Sequence, residues 1–363
     1  MYIKQLHIER FRNFAGTGLQ FSPGINLIVG QNGQGKTNLL EAAVFLGSTK
    51  SFRTPRSAEA IGWGYESCSI SGEVNDRAGP FSLGLVISPK GKQGFVHDKR
   101  VESPQDYLGR LLTITFCPQD TELVRGGPAE RRALLDRHLV DQNPSIMVSL
   151  VNYGRALRAK MSLIKRGETN YRVIEPWNQV LAREMFPIFK ARARFTRELT
   201  PRAASLYERF TSSPGEFFSG EYRSPVEGYS SEGEVLEALA RDFSREVSTG
   251  LLRLGIHRDD LVLTLSGRGA REFSSQGQAR SIVLALKLAI LELIEAHRGE
   301  SPIILLDDVD AELDAHRSDY FFKLMIEQGR QVIVTSTDAY HGVLKTESSV
   351  QVCEVRGGVI VPL

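Results

Sequence analysis

The chain predicts an α/β fold in which one sheet-based body is split by an inserted helical lobe, and three observations carry that prediction. The buried-strand pattern Ile25-Asn26-Leu27-Ile28-Val29 runs into the glycine loop at 30–37 and then into an apolar helix pattern at 38–46. A second apolar strand pattern, Ile303-Ile304-Leu305-Leu306, follows a long helix pattern and ends in Asp307 and Asp308. Between them, residues 129–210 read as helix, poor in glycine and rich in arginine. At 363 residues the chain exceeds the usual size of a single core. The expected organisation is a discontinuous body, 1–117 with 250–363, and a helical lobe at 118–249.

Taken in order, strand-like runs lie at 3–8, 24–29, 68–74 and 81–88, separated by polar turns. The string Pro89-Lys90-Gly91-Lys92-Gln93-Gly94 predicts a hairpin turn leading into Phe95-Val96-His97, and 111–116 is another apolar, β-branched run. The character changes at Pro118, and helix follows to about 210. Clustered Ser, Gly and Pro over 211–233 predict loops. A helix at 234–249, a strand at 260–265, a helix at 276–296 and closing strands at 303–306, 331–335 and 350–355 complete the chain. There is no internal repeat and no low-complexity tract.

Composition excludes several classes. A hydrophobic content of 41% supports well-formed cores, and a net charge of +2 names no partner. Cys68, Cys117 and Cys353 are far apart and odd in number, which suits a reducing cytosol without a disulfide framework, and no metal-ligand spacing links them. The first residues lack the apolar core of a secretory signal. The longest apolar stretch, 282–294, carries Lys287 and Glu292 and is too short to span a bilayer. A cytoplasmic protein is expected.

Gly30-Gln31-Asn32-Gly33-Gln34-Gly35-Lys36-Thr37 fits the phosphate-binding pattern G-x-x-x-x-G-K-[ST]. Its glycines let backbone N–H groups turn inward around phosphate oxygens, and the helix start adds partial positive charge there. Lys36 can reach the β- and γ-phosphates, and the Thr37 hydroxyl can ligate Mg²⁺. A strand ending in carboxylates beside such a loop is where the metal must be held. That makes Asp307 the metal-side ligand and Asp308 the residue placed to orient an attacking water. Phe273-Ser274-Ser275-Gln276-Gly277-Gln278 precedes the long helix. Its serine and N–H groups suit an anion, although Ser275 would serve equally as a plain helix cap.

These three elements, in this order, resemble the ATP-binding-cassette heads of SMC-type ATPases. Within that superfamily the chain resembles the RecF family of bacterial recombination mediators. The strings that carry the likeness are Phe11-Arg12-Asn13-Phe14, Asn38-Leu39-Leu40-Glu41-Ala42, Ser51-Phe52-Arg53 and Gly126-Gly127-Pro128-Ala129-Glu130-Arg131-Arg132. His257-Arg258-Asp259-Asp260-Leu261 and Ser275-Gln276-Gly277-Gln278-Ala279-Arg280-Ser281 complete the set, which spans nearly the whole chain. Ile256 stands before His257 where the resemblance leads one to expect Pro.

The resemblance implies an SMC-head-like fold and a weak, DNA-dependent ATPase. It implies a homodimer closed by ATP and Mg²⁺ on gapped DNA or single-strand/double-strand junctions. It also implies action with RecO and RecR to load RecA on SSB-coated DNA, in replication, repair and the SOS response. Each ATP would lie between residues 30–37 of one copy and Ser275, Gly277 and Gln278 of the other. The resemblance places Gln119 at the Q-loop, as a further metal-side and catalytic group. It places Arg12 and Asn13 near the nucleotide and Thr335-Ser336-Thr337 at the switch after the last core strand. Val309-Asp310-Ala311-Glu312-Leu313-Asp314 would run along the shared interface. The interval between the loop and the carboxylates has no sustained heptads, so a long coiled-coil arm is excluded.

Residues 151–210 hold thirteen Lys or Arg against five Asp or Glu, a net of +8. Arg183, Lys190, Arg194 and Arg197 recur at spacings that share one helix face. Such a stripe suits the phosphate backbone of DNA, without base readout. It also suits a merely solvated face. A second basic group, Lys90, Lys92, Lys99 and Arg100, lies near the predicted hairpin. Two other readings stay open: a motor subunit of a membrane transporter, and a scaffold that holds ATP without hydrolysing it.

Overall fold

The computed structural model describes residues 1–211, 215–308, 315–337 and 350–363. The chain forms two compact units, Met1–Asp120 with Ile290–Leu363, and Thr121–Ala289.

Among its described residues the first unit holds two six-stranded sheets. Its N-terminal part contributes β1 (Tyr2–Phe11), β2 (Phe14–Gln20), β3 (Ile25–Val29), helix α1 (Lys36–Ser48), β4 (Cys68–Asp76), β5 (Gly79–Ser88), β6 (Gly91–Val96), β7 (Lys99–Arg100) and β8 (Thr113–Phe116). The antiparallel sheet runs β2-β1-β4-β5-β6-β7. In β4 the side chains of Cys68, Ile70 and Val74 are buried and alternate with more exposed neighbours, the period-2 pattern of a one-sided sheet. Most of β6 lies in the segment that reads as a hairpin turn, because its glycines dilute the apolar signal. Helix α1 packs on strands of both sheets and buries ten of its residues, so it is apolar nearly all round. Phe45 of α1 meets Phe11 edge to face at 5.7 Å.

The second unit contains α2 (Pro128–Gln142), α3 (Ile146–Lys165), α4 (Tyr171–Phe210), β9 (Phe218–Arg223), α5 (Glu232–Thr249), β10 (Asp260–Leu265), β11 (Arg268–Gly269) and the start of α6 (Gln276–Arg298). Helix α4 keeps three internal prolines, Pro176, Pro187 and Pro201. The expected boundary at 250 is corrected: residues 250–289 belong to this unit. The reason is pairing, since β10 runs antiparallel to β9 from Asp260↔Arg223 to Leu265↔Phe218. Strand β9 lies inside the Ser/Gly/Pro-rich segment that predicted only loops, and its partner supplies the order that local composition does not.

Two of the specific strings meet here. Arg131 pairs in bidentate fashion with Asp260 at 2.7 and 3.0 Å, and Arg132 Nη1 donates to the Asp259 carbonyl at 2.7 Å. The fully buried Asp259 carboxylate accepts from Arg192 Nη1 at 2.7 Å and from Tyr222 and Ser224 hydroxyls at 2.5 Å. Arg192 also pairs with Asp136 at 2.8 and 2.9 Å. Arg192 and Lys160 therefore count in the net charge of 151–210 but not on its surface; Lys160 is internal and paired with Glu246 at 2.6 Å.

His257 is a packing residue. Its Nε2–H donates to the Leu252 carbonyl at 3.1 Å, which leaves Nδ1 to accept from the Tyr153 hydroxyl at 2.7 Å. Burial, the largest cause, holds His257 below its ordinary value of 6.5, and burial does the same to His138 on α2. The folded state therefore binds fewer protons than the unfolded state as pH falls through 6.5. Stability is retained above that value and is lost on acidification until the lowered folded values are passed. Thermal melts should show a lower Tm at pH 5.5 than at pH 7.5, and His257→Gln with His138→Gln should flatten that dependence.

The chain returns to the first unit through the end of α6, then β12 (Ile303–Leu306), α7 (Ala315–Glu327), β13 (Val332–Ser336), β14 (Gln351–Arg356) and β15 (Val359–Pro362). The second sheet has the order β15-β14-β3-β13-β12-β8, parallel except for β15. Strands β3, β8, β12 and β13 are buried along their whole length, as parallel strands covered on both faces must be. The segment 309–314, expected along a shared interface, lies outside the described residues.

Candidate nucleotide site

The site lies at the carboxyl ends of the parallel strands, where open α/β sheets hold ligands. β3 ends at Val29, the glycine loop follows, and α1 begins at Lys36. Gly30 has φ 154°, and a Cβ there would stand 2.5 Å from the Val355 carbonyl of β14, so only glycine fits. Lys36 Nζ donates to the carbonyls of Gly30 at 2.5 Å and Gln31 at 3.1 Å. It thus lies over the loop whose phosphates it is expected to meet.

Strand order explains the partners. β13 lies between β3 and β12, so Thr335 at its end stands between the loop and Asp307. Thr37 Oγ1 is 2.9 and 3.0 Å from the two Asp307 carboxylate oxygens. Thr335 Oγ1 donates to Asp307 Oδ1 at 2.9 Å and accepts the Asp308 N–H at 2.9 Å. Burial, chiefly, pushes the Asp307 carboxyl above the usual carboxylate range; Asp308 adds to this, and the two threonine hydroxyls oppose it. Asp308 is half-buried with φ 54°, a left-handed conformation that Asp tolerates. A hydroxyl and one carboxylate are hard oxygen donors that suit Mg²⁺ completed by phosphates and water. Among the described residues no group of three or more His, Cys, Asp or Glu could hold a metal unaided.

Arg12 and Asn13 form the turn between β1 and β2, beside the loop. Asn13 Nδ2 donates to the Gln34 carbonyl at 2.8 Å, and Asn13 Oδ1 accepts from Asn38 at 2.7 Å. Arg12, at φ 52°, grips Glu41 through Nε at 2.9 Å and Nη2 at 2.7 Å. Glu41 is fully buried and also receives Ser51 Oγ at 2.5 Å and Arg53 Nη1 at 3.3 Å. Three strings separated in sequence thus converge on one carboxylate. The signal for Glu41 was a lone acid on an otherwise apolar helix. Asn32 and Gly33 lie in the exposed part of the loop, and Gln119 is exposed in the one-turn helix Pro118–Thr121, just after β8. β8 is the strand paired with β12 at Leu306↔Phe116.

Ser275, Gly277 and Gln278 lie in the second unit, at the start of α6. The cap reading of Ser275 is realised: its Oγ accepts the Gln278 N–H at 3.2 Å, while Gln278 Oε1 accepts the Ser275 N–H at 2.7 Å. Gln278 Nε2 donates to Glu216 at 2.5 Å. The cap uses the serine oxygen as an acceptor, so its O–H remains a group that can donate to an anion. On α4, Arg183, Lys190, Arg194 and Arg197 are all exposed. Arg183 pairs with the buried Glu184 at 3.1 Å, and Arg194 pairs with Glu198 at 3.8 Å, a largely exposed contact that is weak enough to exchange. In the second basic group, Lys92 Nζ is engaged with the Thr49 carbonyl at 2.7 Å.

The family model RecF/RecN/SMC N terminal domain matches residues 2–360. The DNA replication and repair protein RecF of Myxococcus xanthus is 34% identical over 93% of this chain and 91% of its own length. The protein of the same name from Bacillus pumilus is 35% identical over 93% of each chain. A solved structure of the recombination mediator protein RecF-ATP in the RecFOR pathway matches 100% of this chain and 97% of its own, at 28% identity and TM-score 0.89. The Smc head domain of Pyrococcus furiosus shares the fold at TM-score 0.55 and 18% identity. No described helix is long and apolar enough to cross a membrane.

Proposed function

Because this chain belongs to the RecF branch of the RecF/RecN/SMC family, we propose that it is an ATP-dependent DNA-binding protein of replication and recombinational repair, closing as a dimer around nucleotide. The observation that carries this reading is the Thr37–Asp307–Thr335 cluster at the mouth of the glycine loop. In this reading the amides of 30–37 and Lys36 hold the phosphates, and Thr37 and Asp307 hold Mg²⁺ with help from Gln119. Asp308 orients water, and Arg12 and Asn13 border the nucleotide. The Ser275 hydroxyl and the amides at the start of α6 meet the γ-phosphate of the partner copy, as a helix N-terminus favours. Hydrolysis reopens the clamp. Arg183, Lys190, Arg194 and Arg197 contact the DNA backbone at gaps or junctions. The output is RecA loading on SSB-coated DNA with RecO and RecR, which places the protein in the cytoplasm on DNA.

Light scattering with ATP, Mg²⁺ and gapped duplex tests the clamp. The unmodified chain should dimerise. Ser275→Arg should stay monomeric while binding ATP within about threefold of normal, since the arginine obstructs a surface acting across the interface. A chain that stays monomeric in every nucleotide and salt condition removes the clamp, and lost ATP binding in Ser275→Arg would put the serine in its own pocket. Replacing the four α4 cations by Ala should make the slope of log K against log[salt] shallower by about 3.6, at about 0.9 per phosphate contact. An unchanged slope takes the stripe off the DNA surface.

A further inference from the structure

Gln34 is gripped from both ends of the chain. Its carbonyl accepts from Asn13 Nδ2 at 2.8 Å and from the Gly358 N–H at 3.2 Å. Its side-chain Oε1 accepts the Gly357 N–H at 2.5 Å. Gly357 and Gly358 form the turn between β14 and β15, with φ values of 54° and 80° that suit a tight hairpin turn. The fit is close: a Cβ on Gly358 would stand 2.5 Å from the Asn13 carbonyl. The Val355 carbonyl packs equally closely on Gly30 at the other end of the loop.

The peptide group gives this grip a consequence. In a planar trans peptide the carbonyl of one residue and the N–H of the next point in opposite directions. Two donors that hold the Gln34 carbonyl away from the loop interior therefore hold the Gly35 N–H toward it. An inward N–H at that position is what an anion-binding nest requires. A loop whose amides are already aimed loses less freedom when phosphate arrives.

We infer that the C-terminal hairpin is part of the nucleotide site, and that Gln34 is a positioning residue through which the Gly357-Gly358 turn and Asn13 pre-aim the loop amides. This rests on the nucleotide reading above and adds to it an element more than 320 residues away in sequence from the residue it positions.

The test uses the full chain, Mg²⁺ and a fluorescent ATP. Gln34→Ala removes the side-chain acceptor and should raise the ATP Kd about fivefold, the weight of one hydrogen bond. Its melting temperature without nucleotide should stay within about 2 °C of normal. Gly358→Ala, whose Cβ would stand 2.5 Å from the Asn13 carbonyl, displaces the turn that makes both the Gly357 and the Gly358 contacts and should also raise the Kd. Because the displaced turn also takes the Gly357 N–H away from Gln34 Oε1, the double variant should bind no more weakly than Gly358→Ala alone. Hydrogen exchange adds a readout that a merely structural role would not move. ATP should increase protection of the amides at 356–359 in the unmodified chain and not in Gln34→Ala. Normal ATP affinity in Gln34→Ala, additive losses in the double variant, or nucleotide-independent exchange at 356–359 would each overturn the hairpin's positioning role and leave the nucleotide reading standing. An unmodified chain that does not bind ATP would overturn both.

Discussion

Lys36→Met should abolish ATP-dependent dimerisation, and it should do so by raising the ATP Kd at least a hundredfold. Methionine has nearly the same length and fills the same space, so the largely buried packing around position 36 is kept. What goes is the cation. Hydrogen bonds to charged groups contribute about 1.5 to 3 kcal/mol each, and two phosphate contacts together amount to about 3 to 6 kcal/mol. Each 1.4 kcal/mol is tenfold in affinity, so the hundredfold figure is the lower end. The variant also leaves the Gly30 and Gln31 carbonyls without this donor, so a melt without nucleotide must accompany the titration. A full yield of dimer with ATP and Mg²⁺, or an unchanged Kd, would contradict the role assigned to the loop.

Asp259→Ala should be the most damaging single change to the second unit, at about 3 to 5 kcal/mol. Removing one member of a buried ion pair leaves the other charge uncompensated, and here two hydroxyls lose their acceptor as well. Arg192 keeps Asp136, a partly exposed carboxylate, which limits the loss. For a unit of this size the expected drop in Tm is about 10 °C. Asp260→Ala, whose carboxylate is partly exposed and pairs with Arg131, should cost markedly less. Thermal unfolding followed by circular dichroism distinguishes the two. Equal melting temperatures for Asp259→Ala and the unmodified chain would show that the buried hub is not what holds the unit together.

The contrast between these two sites shows how much was legible in advance. The phosphate loop could be read because strand, glycines and helix start are adjacent in the chain and each has a local physical signature. Asp307 and Asp308 could be read for the same reason, as acids ending an apolar strand. Asp259 could be read only as part of a recurring string. Nothing local distinguishes a carboxylate that faces DNA from one that is fully buried against Arg192, Tyr222 and Ser224. The same holds for the basic insertion, where spacing identified the exposed stripe but charge counting included the internal Lys160 and Arg192. Strand β9 was missed because pairing with β10, not its own composition, makes it a strand.

By itself, then, the sequence determined the strand, loop and helix at 25–46, the acids that end β12, the cap at Ser275 and the cationic face of α4. Those features arise among residues a few positions apart, within reach of hydrogen bonds and helix periodicity. Tertiary structure alone decided that Thr335 joins Thr37 to Asp307, that Arg12, Ser51 and Arg53 share Glu41, and that the C-terminal turn holds Gln34. These meetings follow from the strand order β14-β3-β13-β12 and from the packing of α1 on both sheets. Periodicity tells each segment which face to bury, but it does not say which neighbour will cover that face.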